Sequence, residues 1–478
     1  MITFLLGLTI LIAGGAAYGR FCEKLMSPQD TPTPAVRLQN GIDFVPLNKW
    51  KTALIELLNI AGTGPVLGPV QGILFGPVAF LTIPVGCVLG GALHDYMSGM
   101  ISIRNDGEQM PGLMRRFLGR YVYMIYHIFV CLLMLLVGAV FIYTPGDLFV
   151  SQILHGDVKA LGDDTLLTYG TIFVYFAIAS LLPIDKVIGR VYPIFGAILL
   201  LSAVGIFGGL FVHGYHLQEV WEIGIANVHP MGEHFIPMFF VTVACGIVSG
   251  FHSTQATMIA RAVSSEKDGR NTFYNMMIVE GFIAMTWAAA AMGAVQGGLA
   301  TNEELYKSAV LVVGMIAKNM LGDVGGSVAI IGIIVLAITS GDTALRSLRI
   351  MLADALKVRQ TDHHKAMMIG LPILAVVAVV LYFAKTDAHG FSLLWRYFSW
   401  ANETIAVFAF AMISVYMLKN GLPYLMALIP GTFYMYVVCA YIFHAPIGFQ
   451  MSWELSYGLA GAASVAYAVG IMRCGKKQ

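Results

Sequence analysis

The chain has 478 residues, 58% of them hydrophobic and only 12% charged, with a formal net charge of +1. Soluble globular proteins carry about a quarter charged residues, so this composition excludes an ordinary soluble domain and points to a polytopic membrane protein. The net charge alone selects no partner.

The first apolar run, MITFLLGLTILIAGGAAYGR, has no basic leader, and its positive charge follows the apolar residues. That order predicts a retained helix over 2–20 and not a cleaved signal. Five further spans are expected at 50–74, 77–103, 121–143, 166–184 and 191–213. Five more follow at 234–260, 272–296, 325–345, 366–384 and 394–417, and two close the series at 421–443 and 449–472. The total is thirteen. Segment 302–318 is shorter and charged at both ends, which reads as an amphipathic or re-entrant piece at one surface. The six cysteines stand apart with no CxxC pair and read as small apolar residues.

Loop charge orients these spans. With the N-terminus outside and the C-terminus inside, 23 of the 28 basic residues fall on the inner side. The uncleaved first helix together with the many spans makes a cytoplasmic (inner) membrane the expected location. Nucleic acid is not an expected partner, because the basic residues follow the membrane topology. The expected partners are the bilayer and a small-molecule substrate, and oligomeric state is left open.

Two spans carry unusual breaks. In 59-NIAGTGPVLGPVQG-72 there are four glycines and two prolines, and the prolines remove backbone donors. In 244-ACGIVSGFHSTQATMIAR-261, Gly246 and Gly250 precede a polar run at mid-membrane depth. Freed backbone groups cannot face lipid, so each break must line a cavity or a protein interior. Each break opens a block of five spans, and five is odd, so the blocks enter the membrane from opposite sides. This predicts an all-α fold with a LeuT-like inverted repeat of five plus five helices and two discontinuous helices. The expected organisation is 1–49 (a first helix and loop), 50–215 and 234–418 (the two repeats), and 421–478 (two final helices and a basic tail).

The stretches GTGPVLGPV, 90-GGALHDYMSGMISIRNDG-107, ACGIVSGFHSTQ and 340-SGDTALRSLRIMLAD-354 resemble the carbon starvation protein A (CstA) family. Order and spacing match over roughly residues 50 to 420. The chain is shorter than the long members, and it has Glu403 in WANETIAV where relatives usually show Gln or Asn-Gln. The resemblance implies uptake of small carbon sources, peptides or pyruvate, with proton coupling in the pyruvate transporters.

Candidate site residues follow from position and chemistry. Gly62, Thr63, Gly64 and Gly68 in the first break, and Ser249, Gly250, His252, Ser253, Thr254 and Gln255 in the second, are expected to bind substrate. Residues 61–68 and 246–253 are expected to be non-helical and to face each other. The half-helices starting near Val66 and Ser253 would aim positive dipole ends at a substrate carboxylate. His94 and Asp95 form a buried pair suited to accept a proton. Thr339 and Ser340 could form an oxygen cage for sodium, and Asp342 could add a charge or pair with Arg346 one turn later. Glu280 and Glu403 are weaker candidates, while Glu56 and Arg396 could snorkel near span ends. No Walker A, HExxH or GxSxG motif is present, so neither an enzyme nor a cofactor is expected beyond a coupling proton or sodium ion. A sodium symporter, a membrane-embedded metal-dependent hydrolase using His94, Asp95 and His252, and a channel-like sensor are the alternatives.

Overall fold

The computed structural model describes residues 1–41, 43–158, 162–179, 185–224, 228–356, 358, 363–387 and 389–476. Among these the regular elements are helices, with one isolated bridge between Leu47 and Val263. Helix α1 (Ile2–Met26) is followed by α2 (Lys49–Ile60), whose start is capped by the Asn48 side chain accepting from the Lys51 amide at 2.9 Å. After a short break α3 (Gly64–Phe75) runs at 51° to α2. Then come α4 (Ala79–Arg104), the short α5 (Met110–Leu118), α6 (Arg120–Gln152), α7 (Asp163–Ala179) and α8 (Asp185–Val212). A second break separates α9 (Phe235–Thr242) from α10 (Gly250–Ile259). The remaining helices are α11 (Asn275–Gln296), α12 (Asn302–Ala355), α13 (His363–Thr386), α14 (Gly390–Lys419), α15 (Leu425–His444) and α16 (Trp453–Lys476).

Ten helices among the described residues are long and apolar enough to cross a membrane, and the bent pair α2–α3 makes an eleventh. Two of the thirteen expected spans fall short of that length. Helix α7 has 17 residues, and 180–184 lie outside the described residues. The span expected at 234–260 is divided into α9 and α10, of 8 and 10 residues. Of the basic residues used for orientation, Lys159, Lys357, Arg359 and Lys477 also lie outside the described residues.

Segment 302–318, expected as an amphipathic or re-entrant piece, is helical. It is the first part of α12, and it buries Leu305, Ala309, Val313, Ile316 and Ala317 completely. The chain then doubles back at Gly322, which brings Gly326 against the Lys318 backbone.

Burial ranks the helices from centre to rim. In α14, 89% of the most apolar window is buried, and in α11 78%, against 22% in α16. The exposed side chains of α7, α8 and α13 include Leu167, Leu201, Met368 and Phe383, which present hydrocarbon to lipid. Among the described residues a lysine–carboxylate pair is buried within the bundle. Lys385 on α13 places Nζ 2.6 and 2.8 Å from the two Asp147 oxygens of α6, and the Tyr169 hydroxyl of α7 donates to the same carboxylate at 2.6 Å. Lys385→Met strands that carboxylate and should cost about 3–5 kcal/mol. The thermal midpoint of the purified protein should fall accordingly, with partial recovery in the Asp147→Asn/Lys385→Met double variant.

Candidate functional site

The two breaks meet, though each is placed differently from the expected 61–68 and 246–253. Non-helical backbone covers 61–63 and 243–249, and helix resumes at Gly64 and Gly250 instead of near Val66 and Ser253. The reason is local. Pro65 falls in the first turn of α3, where its missing N–H costs nothing and its fixed φ is already helical. In the second break Gly246 adopts φ +103°, open to glycine alone at low cost, and Ser249 is extended. The run GFHSTQ is therefore the start of α10. A Cβ placed on Gly64 would come within 2.6 Å of Cys245 Sγ, so the discontinuities are in direct contact.

Between them lies a small cavity of about 20 Å³, room for about one water molecule. Of the expected residues it is lined by Gly62, Gly64, Ser249, His252 and Ser340. Thr63 is buried beside it, with a hydroxyl that has no hydrogen-bond partner. The others face elsewhere. Gly68 packs on the Thr242 carbonyl and Gly250 on the backbone of Asn402 and Ala406. Ser253 and Thr254 hydroxyls donate back to the Gly250 and Phe251 carbonyls at 2.7 and 2.6 Å, and Gln255 reaches only Thr254.

Sequence reasoning missed Asn402, although it considered its neighbour Glu403. Asn402 Oδ1 accepts from the Phe251 amide at 2.8 Å, and its Nδ2 donates to Ser249 Oγ at 2.9 Å. A side chain of α14 thus caps α10 and takes one of the amides expected to face a substrate. Phe141 and Phe398 also line the cavity. An amide in an apolar helix was the available signal. Glu403 itself is buried with neither oxygen bonded.

Beside the cavity stands a buried cluster of ionisable groups. Asp95 on α4 meets two imidazoles: His94 Nδ1 lies 2.8 Å from Oδ1, and His252 Nδ1 lies 3.1 Å from Oδ2. An ionised Asp95 only accepts, and in that state Nδ1 of both rings carries the proton. His252 Nε2 in turn lies 3.5 Å from Glu280 Oε2 on α11. Asp95, His94 and Glu280 are fully buried and His252 is 1% exposed. Glu56 of α2 is also fully buried, which excludes snorkelling. In such surroundings Asp95, His94, His252 and Glu280 must share charge among themselves, and a proton added to one is felt by all. His252 belongs to both places, lining the cavity with its ring and joining the two carboxyls.

The expected hydroxyl pair on α12 is reduced to one. Ser340 Oγ is buried without a partner, 4.0 Å from where a Gly62 Cβ would lie. Thr339 donates back to Val335 and Leu336 carbonyls, and Asp342 lies 3.5 Å from Arg346 Nη2. Asp342 therefore faces the arginine one turn on, away from the cavity.

The chain matches the family model described as carbon starvation protein CstA over residues 1–154, 146–306 and 307–441. An uncharacterized membrane protein of Haemophilus influenzae is 39% identical, over 61% of this chain and 91% of that protein. A peptide transporter CstA of Helicobacter pylori and the pyruvate/proton symporter BtsT of Escherichia coli are each 25% identical over 56% of this chain. Those matches cover 47% and 45% of the two transporters, so this chain spans about half their length. A manganese transporter of Eremococcus coleocola shares the fold at a TM-score of 0.58 and 10% identity, over 89% of this chain and 92% of that one.

Proposed function

This chain belongs to the carbon starvation protein CstA family, and we propose that it is a proton-coupled secondary transporter importing a small carboxylate-bearing nutrient, a short peptide or pyruvate. The observation that carries the coupling is the double position of His252, which lines the cavity and bridges Asp95 to Glu280. A proton taken up by this cluster alters a side chain that faces the substrate, and substrate reciprocally alters the cluster. Import then alternates access to the cavity between the two faces of the membrane.

The architecture invoked is the inverted five-plus-five arrangement, with α2–α3 and α9–α10 as the discontinuous first members. It places thirteen spans in the cytoplasmic membrane with the N-terminus outside. The names of the two transporter relatives support both substrate classes and choose neither. Sodium coupling is the second reading, favoured by the unpartnered Ser340 hydroxyl opposite Gly62.

Uptake of labelled pyruvate and dialanine into proteoliposomes, with an imposed proton or sodium gradient, tests the proposal. Accumulation of either compound driven by inward proton movement is the expected result. Accumulation that requires sodium would replace the coupling ion, and no uptake or counterflow of either compound would remove the proposed function.

A further inference from the structure

A second cavity, of about 420 Å³, lies where the loop before α9 meets the starts of α14 and α16. Its size falls in the range of small-molecule sites, whereas the central cavity holds about one water. Arg396 on α14 lines it and pairs with Glu233 at 2.5 Å, the two side chains being 16% and 13% exposed. The guanidinium lies 5.5 Å from the centre of the Tyr306 ring, and the Tyr306 hydroxyl donates to the second Glu233 oxygen at 3.2 Å. The lining also includes Trp453, clasped between His234 and His444 with ring centres 4.4 and 3.7 Å away. Both imidazoles are pinned through Nδ1, to the Tyr457 hydroxyl at 2.8 Å and the Met451 carbonyl at 2.9 Å. These are fixed walls around one cation and one anion.

We propose that this cavity is a binding site for a small zwitterion, with Arg396 holding its carboxylate and Glu233 its ammonium group. The inference rests on the transporter reading, for which it supplies a place where substrate is held before reaching the centre. Arg396 is six residues before Asn402 on the same helix, roughly 9 Å of rise, so the two cavities share one element.

The chemistry of exchange selects the ligand. Opening the Arg396–Glu233 pair leaves two poorly solvated charges, and a zwitterion satisfies both at once. A monocarboxylate would occupy Arg396 and strand Glu233. His229 gives no relief, although it lies 3.8 Å from Glu233. Burial pushes its imidazole down to about 4, with Glu233 opposing and Arg396 adding to the fall, so it is neutral at pH 7. Amino acids and short peptides both have the zwitterionic charge pattern.

Equilibrium dialysis of the purified full-length protein, with labelled dialanine and labelled pyruvate as probes, tests the site. Wild type should bind dialanine at least about tenfold more tightly than pyruvate, the value of one charge-assisted contact. Glu233→Gln removes the ammonium partner and releases Arg396, so dialanine should weaken about tenfold while pyruvate tightens. Arg396→Lys keeps the charge but not the planar fork, and should weaken dialanine several-fold with no gain for pyruvate. It serves as the readout should Glu233→Gln not fold. Equal binding of the two probes by wild type, an unchanged dialanine-to-pyruvate ratio in Glu233→Gln, or undiminished dialanine binding in Arg396→Lys would overturn the site. Uptake in proteoliposomes separates the two readings. Glu233-dependent dialanine binding by a protein that transports neither probe would sink the transporter and keep the site. Uptake with no such binding would do the reverse.

Discussion

Asp95→Asn should abolish uphill uptake while counterflow exchange of substrate persists. Both oxygens of Asp95 accept from histidine, His94 at 2.8 Å and His252 at 3.1 Å. Asparagine keeps the shape but has one acceptor and one donor, so one imidazole must present a bare Nδ1 and shift its proton to Nε2. If that ring is His252, its N–H moves to Nε2, which faces Glu280 Oε2 at 3.5 Å. Net transport coupled to a gradient needs the cluster to bind and release a proton in each cycle, whereas exchange needs only the loaded protein to reorient. Glu280→Gln should produce the same split, because it removes the other carboxyl that His252 touches. Uptake and counterflow, measured in the same proteoliposomes across external pH, check both variants. Asp95→Asn that still accumulates substrate with an unchanged pH profile would place coupling outside this cluster.

How much of this was legible in the sequence depends on the kind of signal. Apolar length located the long helices well, since lipid demands about 20 apolar residues whatever the neighbours are. It served less well where structure depends on packing. The charges at the ends of 302–318 suggested an amphipathic or re-entrant piece but not what it packs on, and Leu305, Ala309, Val313, Ile316 and Ala317 are fully buried. Glycine and proline located both breaks but not their edges, because Pro65 starts a helix as readily as it stops one. Of the candidate site, the His94–Asp95 pair was readable because the residues are adjacent. Its connection to His252 and Glu280 was not, since 157 and 185 positions separate those residues from Asp95 in the chain. The role of Asn402 was hidden for the same reason. Conversely, the hydroxyls of Ser253 and Thr254 looked available in the sequence but bond to their own helix.

The glycines of the breaks should divide sharply by what surrounds them. Gly64→Val and Gly250→Val would be expected, from the sequence, to alter only a cavity lining and leave a folded protein. The structure overturns that expectation. A Cβ on Gly250 would lie 2.5 Å from the Ala406 amide nitrogen, and backbone cannot move aside as a side-chain tip can. Overpacking costs about 1–3 kcal/mol or more even where neighbours can adjust, so Gly250→Val should fail to yield folded protein. Gly64→Val meets Cys245 with similar severity. Gly62 is different. Its Cβ would stand 3.7 Å from Phe141 and 4.0 Å from Ser340 Oγ, both ordinary contacts. It would project into a cavity of only about 20 Å³. Gly62→Ala should therefore keep the yield and thermal midpoint of the wild type, while uptake falls by about tenfold or more, the effect of ~1.4 kcal/mol lost at the site. A folded Gly62→Ala protein that transports at the wild-type rate would mean that substrate does not pass between the two breaks. The close contact of Gly64 with Cys245 would then be packing alone.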